Sequence, residues 1–190
     1  IGAAALQQGQ CVGWIRNTVA DAMAAYERVS QTTPREKITL FHARFALRDR
    51  LEKEAQVLGS FGEGSNQQDR QGRLMIATQV AEQSLDLDFD VLITDLAPVD
   101  RVLQRAGRLQ RHVRDVQGNR LTATDAKDQR PSPCLWVYAP PWTEQPKADW
   151  YAAVFKKAQH VYVHHGQLWL TAKVLQKGTF TMPTDAREMI

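Results

Sequence analysis

The chain has little cysteine, no long apolar run and no phosphate-binding loop, and each shortage excludes a class of protein. Cys11 and Cys134 are its two cysteines. They lie far apart and outside any CxxC or metal spacing, which argues against a disulfide scaffold or zinc module and suits two buried thiols in a reducing cytoplasm. No apolar stretch approaches the roughly 20 residues needed to cross a bilayer, so no membrane partner is expected. A G-x-x-x-x-G-K-[ST] loop is missing, and with it the usual means of cradling nucleotide phosphates within one domain.

What is present is arginine. The net charge is only +3, yet 16 of the 24 basic residues are arginine, and five of them are Arg101, Arg105, Arg108, Arg111 and Arg114. Arginine stays ionised and pairs bidentately with phosphate, so this local enrichment favours nucleotide or nucleic-acid phosphates. At ~100° per residue, a helix running through Arg111 puts Arg101, Gln104, Arg105, Arg108 and Arg111 on one side and Val99, Val102, Leu103, Ala106 and Leu109 on the other. Gly107 costs such a helix about 1 kcal/mol relative to alanine, which points to close approach by a phosphate or another backbone. The plain alternative is a solvated cationic face.

At 190 residues, 43% hydrophobic and 24% charged, the chain suits one compact domain with appendages. Short β-rich runs at 11–16, 38–42, 73–77, 91–94 and 134–139 alternate with amphipathic stretches at 19–29 and 46–58, the first of these with Asn17 as a plausible N-cap. The rhythm predicts an α/β fold, a parallel sheet flanked by helices. Residues 59–72 read as a polar, glycine-rich surface loop and 113–133 as a long polar excursion. Prolines 140, 141 and 146 place a boundary near residue 139, dividing a domain of residues 1–139 from a linker and helical extension, 140–190. Helices are expected there at 149–162 and 167–176, with aromatic residues that need a partner surface. The ends at Ile1 and Ile190 read as those of a piece cut from a longer chain.

Two motifs in order narrow the reading. ATQVAEQSLDLD (77–88) follows a strand, and QRAGRLQR (104–111) follows the next; together they resemble motifs V and VI of superfamily 2 helicases, T-x-x-x-x-x-G-x-D and Q-R-x-G-R-x-x-R. Ser84 stands where many of those proteins carry glycine, and Gln79 where aspartate is common. NTVADAMAAY, FHARFALRDRLEKE, EQSLDLDFD, VYVHHGQLWLTAKVL and MPTDAREMI are similar to the nuclease-helicase of type I CRISPR systems.

That resemblance implies the second RecA-like lobe of an ATP-dependent single-stranded-DNA translocase that degrades target DNA in CRISPR interference. It implies a catalytic group in which Arg108 and Arg111 are arginine fingers toward ATP held by a first lobe, Gln104 meets the γ-phosphate, and Arg105 ties the motif to acidic neighbours. Asp86 would accept from the ribose, with Glu82 and Gln83 coupling the nucleotide and DNA sites. Thr78, Asn17, Thr18, His42 and Arg44, at strand ends, would follow the DNA backbone. No metal ligand is expected in the chain itself. Asp86, Asp88 and Asp90 lack the turn glycine and bidentate glutamate of a calcium loop, and His160, His164 and His165 lack an acidic partner. ATP and Mg²⁺ would belong mainly to the first lobe and a nuclease metal to an N-terminal domain, since the chain has neither an Asp-Glu box nor a His-Asp dipeptide.

The implied partners are single-stranded DNA, the first lobe and nuclease domain of the same chain, and the CRISPR effector complex. Alone, the chain is expected neither to hydrolyse ATP nor to cut DNA. A lobe of a recombination or restriction helicase shares the arginine pattern, and a non-enzymatic nucleic-acid-binding module would explain the arginines alone.

Overall fold

The computed structural model describes residues 1–45, 47–82 and 85–189. Its elements in chain order are α1 (Gly2–Gln7), β1 (Val12–Ile15), α2 (Val19–Val29), β2 (Ile38–Phe41), α3 (Leu47–Phe61), α4 (Gln67–Arg70), β3 (Leu74–Ala77), β4 (Val91–Asp95), α5 (Val99–Ala106), β5 (Leu135–Tyr138), α6 (Trp150–Val154), α7 (His165–Leu175) and α8 (Ala186–Met189). The five strands pair in parallel in the order β2-β3-β1-β4-β5. Parallel strands need crossovers, and the crossovers cover both faces.

Alternation then sends side chains to two cores. Val12, Leu74 and Ile76 meet Ala22 and Ala25 of α2 on one face, while Ile15, Met75 and Ala77 meet Val57 and Phe61 of α3 on the other. On this second face Gly13 has no room for a side chain: a Cβ there would stand 2.7 Å from Leu92 Cδ1 and 2.9 Å from the Phe89 ring. Because the registers are level, β1, β2, β3 and β4 finish side by side. Arg16, Asn17, His42, Thr78 and Asp95 therefore share one edge, the carboxyl edge where open α/β sheets place ligands.

Several sequence expectations are corrected. Thr18, not Asn17, caps α2, its hydroxyl accepting from the Asp21 N–H at 3.0 Å. Of the helix expected at 46–58, Ala46 lies outside the described residues, and the helix runs on to Phe61. Residues 59–72 are no simple surface loop, because Phe61, Ser65 and Arg70 are buried and Asn66 caps α4 in a capping box. The helix expected at 149–162 is confined to α6 and a 3₁₀ turn at Ala158–His160. Cys11 is buried but Cys134 is exposed.

The excursion 113–133 is anchored by charge. Asp88, with no exposed side-chain surface, pairs with Arg114, Arg130 at 3.2 Å and Arg70 at 3.7 Å. Asp90 pairs with Arg70 and Arg130, both at 2.9 Å. Arg114 also donates to the carbonyls of Gly62, Glu63, Ser65 and Gly118 at 2.6–3.0 Å. With Asp128 held by Arg130 at 2.7 Å, three guanidiniums and three carboxylates thus pair in one network inside the fold. The C-terminal segment packs on the same sheet domain: Leu96 contacts a cluster of Tyr151, Phe155, Ala158, Leu168 and Ala172.

Candidate functional site

The arginine motif is not one helix. α5 stops at Ala106, Gly107 adopts φ −65° as its C-cap, and Gln110 takes φ 46°. The physical reason is competition for the backbone. The Arg108 carbonyl accepts from the Phe89 N–H at 2.9 Å, and the Gln110 N–H donates to the Phe89 carbonyl at 2.8 Å, so the chain leaves the helical ladder to lie beside residue 89. Gly107 is not forced by its surroundings, since a Cβ would come no closer than 3.4 Å to the Gln104 carbonyl. The expected single cationic face therefore divides into a buried arginine and a partly exposed turn.

Arg105 is the buried one, fully withdrawn from solvent. Its Nε donates to Glu82 Oε1 at 2.7 Å, and both side chains of the pair are inaccessible. Nη1 donates to Thr94 Oγ1 at 2.7 Å, to the Asp95 carbonyl at 3.0 Å and to Asn17 Oδ1 at 3.1 Å. Arg105 has no surface to offer a phosphate, and Glu82 is likewise buried. Arg101 extends the pair from outside, reaching Glu82 Oε2 and Gln104 Oε1 at 3.4 and 3.2 Å.

Arg108 and Arg111 stand on the turn. Arg108 Nη2 donates to the Glu82 carbonyl at 2.9 Å and Nε to the Ala81 carbonyl at 3.3 Å, which aligns its guanidinium without neutralising it. Burial, and then the charge of Arg111, push its pKa down, with Asp86 and Glu82 opposing. Arg111 Nε meets Asp86 Oδ1 at 2.6 Å, and His112 Nε2 lies 3.0 Å from the same oxygen. Gln104 is exposed beside them. Two guanidiniums backed by one half-exposed carboxylate favour an anion of more than one charge. Gln83 lies outside the described residues.

At the strand ends the residues separate by access. Asn17 is buried, its Nδ2 donating to the Leu96 carbonyl at 2.7 Å and to the Tyr151 hydroxyl at 3.1 Å. Thr78 is buried at the end of β3, and its carbonyl accepts from the Ala81 N–H at 3.1 Å. Thr18 is partly exposed and Arg44 exposed. His42 Nδ1 accepts from the Arg44 N–H at 3.2 Å, its ring stacks on Phe45 at 4.3 Å, and burial lowers its pKa, leaving a neutral imidazole. Arg16 and the Asn17 N–H hold Asp95 Oδ2 at 2.9 and 3.0 Å, while burial raises the Asp95 pKa.

Sequence reasoning missed His112, whose only signal was its place beside the motif, and the Arg70, Arg114 and Arg130 cluster, which no spacing announces. Among the described residues, Glu63, Asp86 and His112 bring ligand atoms within 4.8 Å of one another, but Arg111 and Arg120 already occupy the two carboxylates. Among the described residues the three histidines at 160–165 are in no such group.

A family model described as CRISPR-associated nuclease/helicase Cas3, C-terminal, matches residues 8–114. The chain belongs to the Cas3 nuclease/helicase C-terminal family. The Cas3 endonuclease/helicase of Escherichia coli K12 is 48% identical over 112 residues, which are 58% of this chain and 12% of that protein. A crystal structure of T. fusca Cas3 with AMPPNP superposes over 98% of this chain and 20% of that one, with TM-score 0.77 and 33% identity. A CRISPR RNA-guided surveillance complex in a pre-nicking state contains a chain superposing over 94% of this one and 20% of its own length, with TM-score 0.63 and 33% identity. The chain thus spans about an eighth of the E. coli relative and a fifth of the matched structures. Its parallel sheet and flanking helices are the architecture of the Cas3 C-terminal helicase lobe, and no described helix is long and apolar enough to cross a membrane.

Proposed function

We propose that this chain is the second RecA-like lobe of an ATP-dependent single-stranded-DNA translocase acting in CRISPR interference, and that Arg108 and Arg111 meet the phosphates of ATP bound on a first lobe. The observation that carries the reading is the partly exposed turn at 107–111. Arg108 is aimed by two carbonyls and depressed in pKa by burial and by Arg111, an arrangement that an incoming polyphosphate relieves. A T. fusca Cas3 relative was solved with AMPPNP and another with ATP, which supports nucleotide as the anion.

Arg108 and Arg111 would stabilise charge on the transferred phosphoryl group, and Gln104 would reach the same group. Asp86, engaged by Arg111 here, would exchange that partner for the ribose when the lobes close. Glu82 and Arg105 set the turn from beneath, and Gln83, outside the described residues, would help couple the nucleotide and DNA sites. Thr18, Arg44 and His42 supply polar contacts for a DNA backbone along the carboxyl edge, with Thr78 at its floor. Magnesium falls to the first lobe, because the carboxylates nearest the turn are already paired with arginines. A nuclease domain, a first lobe and the effector complex complete the assembly; the surveillance-complex relative supports the last of these.

The test is steady-state ATP hydrolysis by the full-length protein, with and without single-stranded DNA. Arg108→Ala is expected to lower kcat by ~10³-fold or more, the scale of a lost arginine finger. DNA binding without nucleotide should stay unchanged, and near-normal turnover would sink the assignment.

A further inference from the structure

The hydrogen bonds around Arg105 do not end with the arginine motif. Arg105 Nη2 donates to the Tyr162 hydroxyl at 3.3 Å, and among the described residues no other acceptor serves that nitrogen. Asn17, which accepts from Nη1, is itself held by the Tyr151 hydroxyl at 3.1 Å and the Leu96 carbonyl at 2.7 Å. Tyr151 is fully buried, Tyr162 packs against the same cluster, and burial keeps the Tyr151 phenol protonated. Both tyrosines come from the C-terminal segment, beyond the 8–114 stretch that matches the family model.

Glu82 carries the effect onward. Its carboxylate is gripped by Arg105 Nε at 2.7 Å, and its main-chain carbonyl receives Arg108 Nη2 at 2.9 Å. A guanidinium is a rigid planar fork, so acceptors on all three nitrogens fix its tilt as well as its position. Releasing Nη2 frees Arg105 to tilt, and tilt displaces Glu82 and the carbonyl that aims Arg108.

We propose that Tyr162 is a positioning residue for Arg108, acting through Arg105 and Glu82, with Tyr151 a weaker support through Asn17. The C-terminal segment is then part of the machinery that sets the arginine turn. This rests on the reading that Arg108 meets the nucleotide.

The test compares Tyr162→Phe, Tyr162→Leu, Tyr151→Phe and Arg108→Ala in the full-length protein by DNA-stimulated ATP hydrolysis and thermal melting. Tyr162→Phe is expected to lower kcat about tenfold with KM for ATP within about twofold, because only alignment in the transition state is lost. Tyr162→Leu should match it, since the hydroxyl and not the ring acts. Tyr151→Phe should cost about twofold, as Asn17 keeps the Leu96 carbonyl. Wild-type kcat in Tyr162→Phe overturns the inference, as does a loss in kcat matched by an equal rise in KM. Melting more than about 10 °C below wild type also overturns it, by making Tyr162 a structural residue. Arg108→Ala separates the failures: if it retains turnover, the arginine-finger reading falls too, and if it alone is inactive, only the role of Tyr162 falls.

Discussion

Arg114→Ala removes the donor that closes the buried charge cluster, and its cost can be worked from the contacts. Four main-chain carbonyls, of Gly62, Glu63, Ser65 and Gly118, lose their guanidinium donor. Asp88 loses its nearest partner and keeps Arg130 at 3.2 Å and Arg70 at 3.7 Å. Breaking a buried ion pair from one side costs roughly 3–5 kcal/mol, because a desolvated group is left behind. That is a large share of the roughly 5–15 kcal/mol that holds a domain together. With a urea slope of about 2 kcal/mol per molar, the denaturation midpoint should fall by about 2 M. Arg114→Lys should recover part of this, since three donors on a flexible stem cannot replace a five-donor fork. A midpoint within about 0.3 M of wild type for Arg114→Ala would refute the view that this cluster anchors residues 113–133.

Two further outcomes follow from packing and burial. Gly13→Ala places a methyl group 2.7 Å from Leu92 Cδ1 and 2.9 Å from the Phe89 ring, so it should destabilise by about 1–3 kcal/mol in thermal or urea melts; an unchanged midpoint would show that this core yields. Cys11 is buried with its thiol pushed up to about 12, whereas Cys134 is exposed. A thiol reagent near pH 8 should therefore label one cysteine promptly and the second only on unfolding. Equal rates at both sites in the native protein would contradict the burial of Cys11.

Much of the framework is local and was legible. The strand runs ending near Ile15, Phe41, Ala77 and Asp95 are short, β-rich and spaced by amphipathic stretches, and period alone separates them. The order of the two motifs also carried the family, because it depends on residue identity and sequence position. What period could not show was where α5 ends. Helical spacing runs through Arg111 on paper, but residue 89 competes for the backbone of Arg108 and Gln110, and that contact spans about twenty positions. The same blindness hid the difference between Arg105 and Arg108, which look alike in the motif although the first is fully buried and the second partly exposed.

By itself, then, the sequence determined the α/β class, the five strands, and the presence of an arginine-rich motif after the fourth, since these depend on neighbours a few residues apart. Tertiary structure decided which arginines face solvent. Arg105 is drawn inward by Glu82, Asn17 and Tyr162, and Arg114 by Asp88 and the carbonyls at 62–65, all distant along the chain. A buried charge is tolerated only where partners from several elements converge on it, and that convergence is a property of the folded chain, with no trace in local spacing.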